Sequence, residues 1–198
     1  MTIRIVALGD STTAGTPAFQ SPVEAPPRGR GDETSQYAYW LMRAHPDWEV
    51  LNRGVNGERS DQIRARFDRD AIAAAPHAVV IIAGVNDVYQ GLSVEHVTGN
   101  LAAMYARASR ARIAVVAGSI VPYNTATPEQ NARMWQINDW IRRQTGLAFV
   151  DTRAAVAASN DPDRLSDSTD GLHPTAAGYR RMADAIQPIV ERVVRDNR

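Results

Sequence analysis

Ala78-Val79-Val80-Ile81-Ile82-Ala83 is apolar at every position, and the next four residues, Gly84-Val85-Asn86-Asp87, turn polar at once. A strand with one face in water alternates apolar and polar side chains, whereas a strand without a polar position is covered on both faces. The stretch therefore predicts a central strand of a parallel sheet sandwiched between helices. Outward from it, short β-branched runs recur at 3–8, 49–52, 113–119 and 148–151, each followed by a longer stretch with helical spacing. Helices are expected at 35–44, 60–74, 94–110, 128–145 and 175–195. In the last of these, Tyr179, Met182, Ala185, Ile186, Ile189, Val190 and Val193 make one apolar face, with Arg180, Arg181, Glu191, Arg192 and Arg195 largely opposite. The alternation predicts an α/β chain with a three-layer α/β/α, flavodoxin-like fold: a central parallel five-stranded sheet flanked by helices.

The 198 residues suit a single domain, 1–198. One segment breaks the rhythm: 16–34 carries Pro17, Pro22, Pro26, Pro27, Gly29 and Gly31 and has no periodicity. A loop of that length in a compact domain reads as a lid or binding loop, here directly after the first strand.

Composition removes whole classes of function. The 22 basic residues balance 22 acidic ones, and all the basic ones are Arg. No charge excess marks a nucleic-acid surface or an anionic membrane, and a small neutral ligand is the expected partner. Without Lys there is no Schiff base and no P-loop lysine; without Cys there is no thiol nucleophile, disulfide or cysteine zinc site. His45, His77 and His96 show no metal spacing and read as non-catalytic. No apolar run is long enough to span a bilayer. Arg4 interrupts the first apolar run, which leads straight into a candidate active-site turn, so a cytoplasmic protein is expected.

In open parallel α/β sheets, ligands sit beyond the carboxyl ends of the strands. The polar segments at those positions are Gly9-Asp10-Ser11-Thr12 after the first strand, Asn52-Arg53-Gly54-Val55-Asn56-Gly57 after the second and Gly84-Val85-Asn86-Asp87 after the third; Asp170-Gly171-Leu172-His173-Pro174 precedes the last helix. A serine hydroxyl becomes a nucleophile only beside a base, and an imidazole suits that work near neutrality. His173 in turn needs a partner that fixes its tautomer and stabilises the imidazolium, which Asp170, three residues upstream, can supply; Asp167 competes for that place.

These four segments, in this order, resemble the conserved blocks of the SGNH (GDSL-type) hydrolases: GDS like the nucleophile block, the Gly57 turn like the second, GVND like GxND and DGLHP like DxxHP. The resemblance spans 9–174 and implies a serine esterase acting through an acyl-enzyme, with Ser11 as nucleophile, His173 as base and Asp170 as its orienting acid. It implies an oxyanion hole from the Ser11 N–H, the Gly57 N–H and the Asn86 side-chain amide, and neither a metal nor an organic cofactor. Gly54 competes with Gly57, which is preferred because it lies farther beyond the strand. The family's esterases, thioesterases, lysophospholipases and carbohydrate O-acetylesterases stay open. The expected substrate-binding walls are Val85, Val88 and Tyr89, then Pro122, Tyr123 and Asn124, and Leu172 beside the base. This moderately apolar mixture suits an acetyl or other short acyl ester better than a lipid chain.

Plainer readings compete at each position. A lone Ser after a strand caps a helix beginning at Thr12; Asn86 is an ordinary turn residue; Asp10 binds backbone donors of its own turn and has no catalytic part. The Ser/Thr-rich segment 10–16 also looks like the phosphate loop of a non-catalytic, FMN-binding module of the flavodoxin type. That reading leaves His173 and Asn86 without a purpose.

Overall fold

The computed structural model describes residues 2–196, so the outermost residues of the expected 1–198 domain lie outside the described range. Strands β1 (Ile3–Gly9), β2 (Trp48–Gly54), β3 (Ala78–Ile82), β4 (Ala114–Gly118) and β5 (Ala148–Val150) form one parallel sheet in the order β2-β1-β3-β4-β5. All five fall where the apolar runs placed them, within two residues at either end. The order is that of flavodoxin-type sheets, and the chain reverses direction across the sheet between β1 and β3, where such folds open a crevice.

Because successive side chains on a strand point to opposite faces, each buried strand feeds two cores. Ile5 and Ala7 of β1 and Val80 and Ile82 of β3 meet α2 (Tyr37–Ala44) and α9 (Ala176–Asp196) through Tyr37, Leu41, Tyr179, Met182 and Ile186. Val6 and Leu8, with Val79 and Ile81, meet the helices of the other face: α3 (Ser60–Ala65) through Ile63, α4 (Phe67–Asp70) through Phe67, α6 (Val94–Arg110) through Leu101 and Met104, and α7 (Pro128–Arg142) through Met134 and Ile137. Helix α7 starts at a capping box: Thr127 Oγ1 accepts from Gln130 N, and the Gln130 side chain accepts from Thr127 N, with Pro128 in the first turn.

Three expectations about helices need correction. The helix expected at 60–74 is three pieces, α3, α4 and a 3₁₀ turn at Ile72–Ala74. The first break falls at Arg66, whose guanidinium turns inward to donate to Gly9 O, Arg53 O and Asp70 Oδ2. The helix expected at 35–44 begins only at Tyr37, after a 3₁₀ turn at Glu33–Ser35. Helix α7 ends at Arg142, short of the expected 145, and Gly146, with a φ of 77°, takes the chain on toward β5. Three short helices, α1 (Ser11–Ala14), α5 (Val85–Tyr89) and α8 (Thr152–Val156), sit just beyond strand ends.

The 16–34 segment is pinned down rather than open. Phe19–Gln20 pairs with Arg30–Gly31, Phe19 is buried, Tyr179 Oη donates to Thr16 O, and Ser21 Oγ donates to Gly54 O at 2.6 Å. Among the described residues, no helix is long and apolar enough to cross a membrane.

Candidate active site

The end of β1 is held by hydrogen bonds that leave one hydroxyl free. Asp10 is the N-cap of α1: its Oδ1 accepts from Thr12 N at 3.0 Å. The cap is therefore Asp10 and not Ser11, so the Ser11 hydroxyl is available to a distant partner. Burial pushes the Asp10 carboxyl up to about 7, with the Thr12 contacts pulling the other way, and its Oδ2 has no hydrogen-bond partner. Thr13 Oγ1 is spent on Tyr37 Oη at 3.2 Å, and both Thr12 and Thr13 are buried. A phosphate cradle would need the N–H and hydroxyl groups that Asp10 and Tyr37 already occupy.

The partner of Ser11 comes from the far end of the chain. His173 Nε2 lies 2.9 Å from Ser11 Oγ, and His173 Nδ1 lies 2.7 Å from Asp170 Oδ2. The other Asp170 oxygen accepts from Leu172 N at 2.8 Å and from His173 N at 2.9 Å, so the carboxylate is clamped by the loop it belongs to. Desolvation raises the Asp170 carboxyl, but the His173 ring and these two backbone donors outweigh it and bring it down to about 2. Asp167 is engaged elsewhere, with Thr175 Oγ1 and Arg181. Asn124, expected in the pocket wall, instead braces this loop: its N–H donates to Gly171 O and its Oδ1 accepts from Leu165 N.

A cavity of about 190 Å³ opens beside Ser11 and His173. Val85, Tyr89, Tyr123 and Leu172 supply its apolar walls, and Thr12, Asn56 and Asn86 its polar ones. Val88 does not line it; the first turn of α5 points that side chain into the core, where it is fully buried. Pro122 is likewise absent from the lining. No residue of 16–34 reaches the cavity wall. In place of a lid, that segment gives a brace, Glu24 accepting from Asn56 N at 2.8 Å. A larger hollow of about 420 Å³ opens around Tyr105 and Arg112 before β4, and none of its residues belongs to the four motifs.

Asn86 sits in the first turn of α5 with its side chain at the cavity. One of its two amide hydrogens donates to Glu58 O at 2.9 Å, which fixes the amide plane and leaves the second unspent. Gly57 is exposed, has a φ of 77° and open space where a Cβ would stand; it does not line the cavity, although its neighbour Asn56 does. Gly54, the competing glycine, lies within the sheet and not in the turn. It is the last residue of β2, paired with Gly9, and a Cβ there would stand 2.1 Å from Ala14 N. Its smallness seats α1 against the sheet.

Sequence reasoning missed the residues that join these segments. Asp87, fully buried, accepts from Ser60 N at 2.8 Å and from Ser60 Oγ at 2.6 Å, and Asn100 Nδ2 donates to Ser60 Oγ. An acidic residue directly behind an all-apolar strand was the available signal. His96, which shows no metal spacing along the sequence, does meet two acidic groups in space: its Nε2 lies 3.6 Å from Asp87 Oδ1 and 4.0 Å from Asp61 Oδ1. Those three groups have metal-ligand chemistry, but Arg59 holds Asp61 through two nitrogens and Ser60 holds both oxygens of Asp87. His45 contacts Glu191 and stacks on Trp48, and His77 Nδ1 accepts from Arg4 N.

Residues 7–181 match the GDSL-like lipase/acylhydrolase family. An acetylxylan esterase of Geobacillus stearothermophilus is 27% identical over 169 residues, covering 75% of this chain and 76% of that protein. Two solved structures share the fold: a catalytic mutant of the G. stearothermophilus acetylxylan esterase Axe2 (TM-score 0.73, 20% identity, 96% of this chain and 95% of that one) and the psychrotrophic esterase EstA of Pseudoalteromonas sp., inhibited by monoethylphosphonate (TM-score 0.75, 18% identity, 97% and 98%).

Proposed function

The chain belongs to the GDSL-like lipase/acylhydrolase family and is a carboxylic ester hydrolase, and on that premise we propose that Ser11, His173 and Asp170 form its catalytic triad. The observation that carries the reading is the unbroken chain of contacts from Ser11 Oγ through both ring nitrogens of His173 to Asp170, at 2.9 and 2.7 Å, opening onto a cavity. His173 Nε2 takes the Ser11 proton as Oγ attacks the ester carbonyl, and Asp170 stabilises the imidazolium. The Ser11 N–H and the free amide hydrogen of Asn86, from residues that line the cavity, receive the oxyanion, with the Gly57 N–H as a third donor offered from the turn next to Asn56. Collapse expels the alcohol, which takes the proton from His173, and a water activated by the same ring then hydrolyses the acyl-serine.

The substrate proposed is a short-chain ester, an O-acetyl ester foremost. A volume of about 190 Å³ walled by Val85, Tyr123 and Leu172 accommodates a small acyl group, and the exposed Tyr89 ring offers a flat apolar face to the alcohol. The acetylxylan esterase relative is consistent with this choice. The test has two arms. Treatment with a small organophosphonate is expected to add one adduct to the intact mass of the wild type and none to Ser11→Ala; an unmodified wild type would remove the triad. In a series of p-nitrophenyl esters, kcat/KM is expected to peak at acetate or propionate. A peak at eight carbons or beyond would replace the acetyl reading with a lysophospholipase or thioesterase one.

A further inference from the structure

Two donors of the proposed oxyanion hole come from separate elements, the turn after β2 and the start of α5, and something must hold those elements in register. Backbone bonding within the turn is sparse: Val55 N donates to Gly9 O, and Glu58 N reaches Val55 O only at 3.4 Å. Asn56 and Gly57 are exposed. The exit of the turn is gripped at two points by two consecutive residues of α5: Asn86 Nδ2 donates to Glu58 O at 2.9 Å, and Asp87 receives both the N–H and the hydroxyl of Ser60, at 2.8 and 2.6 Å. The four residues close a ring, from Asn86 to Glu58, along the chain to Ser60, across to Asp87 and back through one peptide bond. Such a ring sets the rotation as well as the distance between the elements.

The chemistry of the grip is directional. Ser60 and Asp87 are both fully buried, so the bonds between them are shielded from water; burial raises the Asp87 carboxyl, while the two Ser60 donors pull the other way. Asn100 Nδ2 donates to Ser60 Oγ at 2.9 Å, which directs the serine proton toward the carboxylate. Neither Ser60 nor Asp87 lines the cavity, so neither touches a substrate.

We infer that Ser60 and Asp87 are positioning residues that act through Asn86, holding its amide at the place that an oxyanion requires. This rests on the oxyanion reading above. A donor displaced by a fraction of an ångström loses most of its effect on a transition state while ground-state binding barely changes. Truncating Ser60 should therefore lower kcat and leave KM nearly alone.

The test is a double-mutant cycle between Ser60→Ala and Asn86→Ala on a p-nitrophenyl ester, with thermal unfolding of every variant. Ser60→Ala is expected to lower kcat about tenfold with KM within twofold, and to lower it less than twofold when Asn86 is already Ala, because the group it positions is gone. Equal losses in both backgrounds would overturn the inference while leaving the oxyanion hole standing, since a general loosening of the fold costs the same with or without Asn86. An Asn86→Ala variant of near wild-type activity would overturn both readings. Should Ser60→Ala not fold, Asn100→Ala, which removes only the donor behind Ser60, is expected to give the same non-additivity at smaller amplitude, and additivity there would count against the inference equally.

Discussion

Asp170 serves His173 with both of its oxygens: Oδ2 meets the ring at Nδ1, while Oδ1 accepts the backbone N–H of His173 itself. The second contact matters because it dictates which end of a substituted amide could face the ring. In Asp170→Asn the backbone donors at Leu172 and His173 demand the amide oxygen, so its NH₂ group must point at Nδ1. That forces the tautomer with hydrogen on Nε2, which donates to Ser11 Oγ and cannot take its proton. The expected result is a fall in kcat of roughly 10⁴-fold with little change in unfolding temperature, read from initial rates on p-nitrophenyl acetate. A loss of tenfold or less would mean that Asp170 shapes the loop and does not select the tautomer.

Asn86 has one amide hydrogen committed to Glu58 O, so only one serves the cavity. Removing a single preorganised oxyanion donor costs about 10²–10³ in rate, and Asn86→Ala is expected to show a loss in that range in kcat. Under threefold, Asn86 would be a tether for the turn only.

The two glycines of the second block should answer differently to the same substitution. At Gly54 a methyl group would meet the backbone of Ala14, at 2.1 Å from its N and 2.6 Å from its Cα, and neither can step aside alone. Gly54→Ala is expected to cost about 2–3 kcal/mol or more. At Gly57 the space is open and only the φ of 77° resists, a penalty of about 1–2 kcal/mol. Urea unfolding of the two variants checks the ranking; equal costs would contradict the seating of α1 on Gly54.

The carboxyl of Asp10 is raised by burial from 3.8 to about 7. The folded chain therefore holds that proton more tightly than the unfolded one, and the stability this confers is complete below pH ~4 and lost as pH climbs through about 7. Asp10→Asn cannot ionise. Its unfolding temperature, compared with that of the wild type at each pH, is expected to gain several degrees between pH 4 and 8 and then level, at about 2–4 °C for each kcal/mol in a chain of this size. A difference that stays flat across that range would show that Asp10 is ionised throughout.

Much of this protein was legible in one dimension. Apolar runs of period-free β-branched residues located all five strands, and three- and four-residue spacing located the long helices, because strand and helix geometry are themselves short-range repeats. The order of GDS, GVND and DGLHP along the chain placed Ser11, Asn86 and His173 at the strand and helix ends where a parallel sheet collects its ligands. What the tertiary structure alone decided is everything that depends on which distant segments meet. Ser11 and His173 are 162 positions apart, and Ser60 and Asp87 are 27 apart. Only the sheet order brings them within hydrogen-bond reach. The same packing turned Val88 inward though Val85, Asn86 and Tyr89 of the same short helix line the cavity, made Asp10 the cap instead of Ser11, and drew the loop at 16–34 down onto Gly54 and Asn56, where composition alone had suggested a cover for the site. Periodicity reports which face of an element is apolar; the partner that face meets, and the polar groups left over to pair across the gap, are set by the assembled layers.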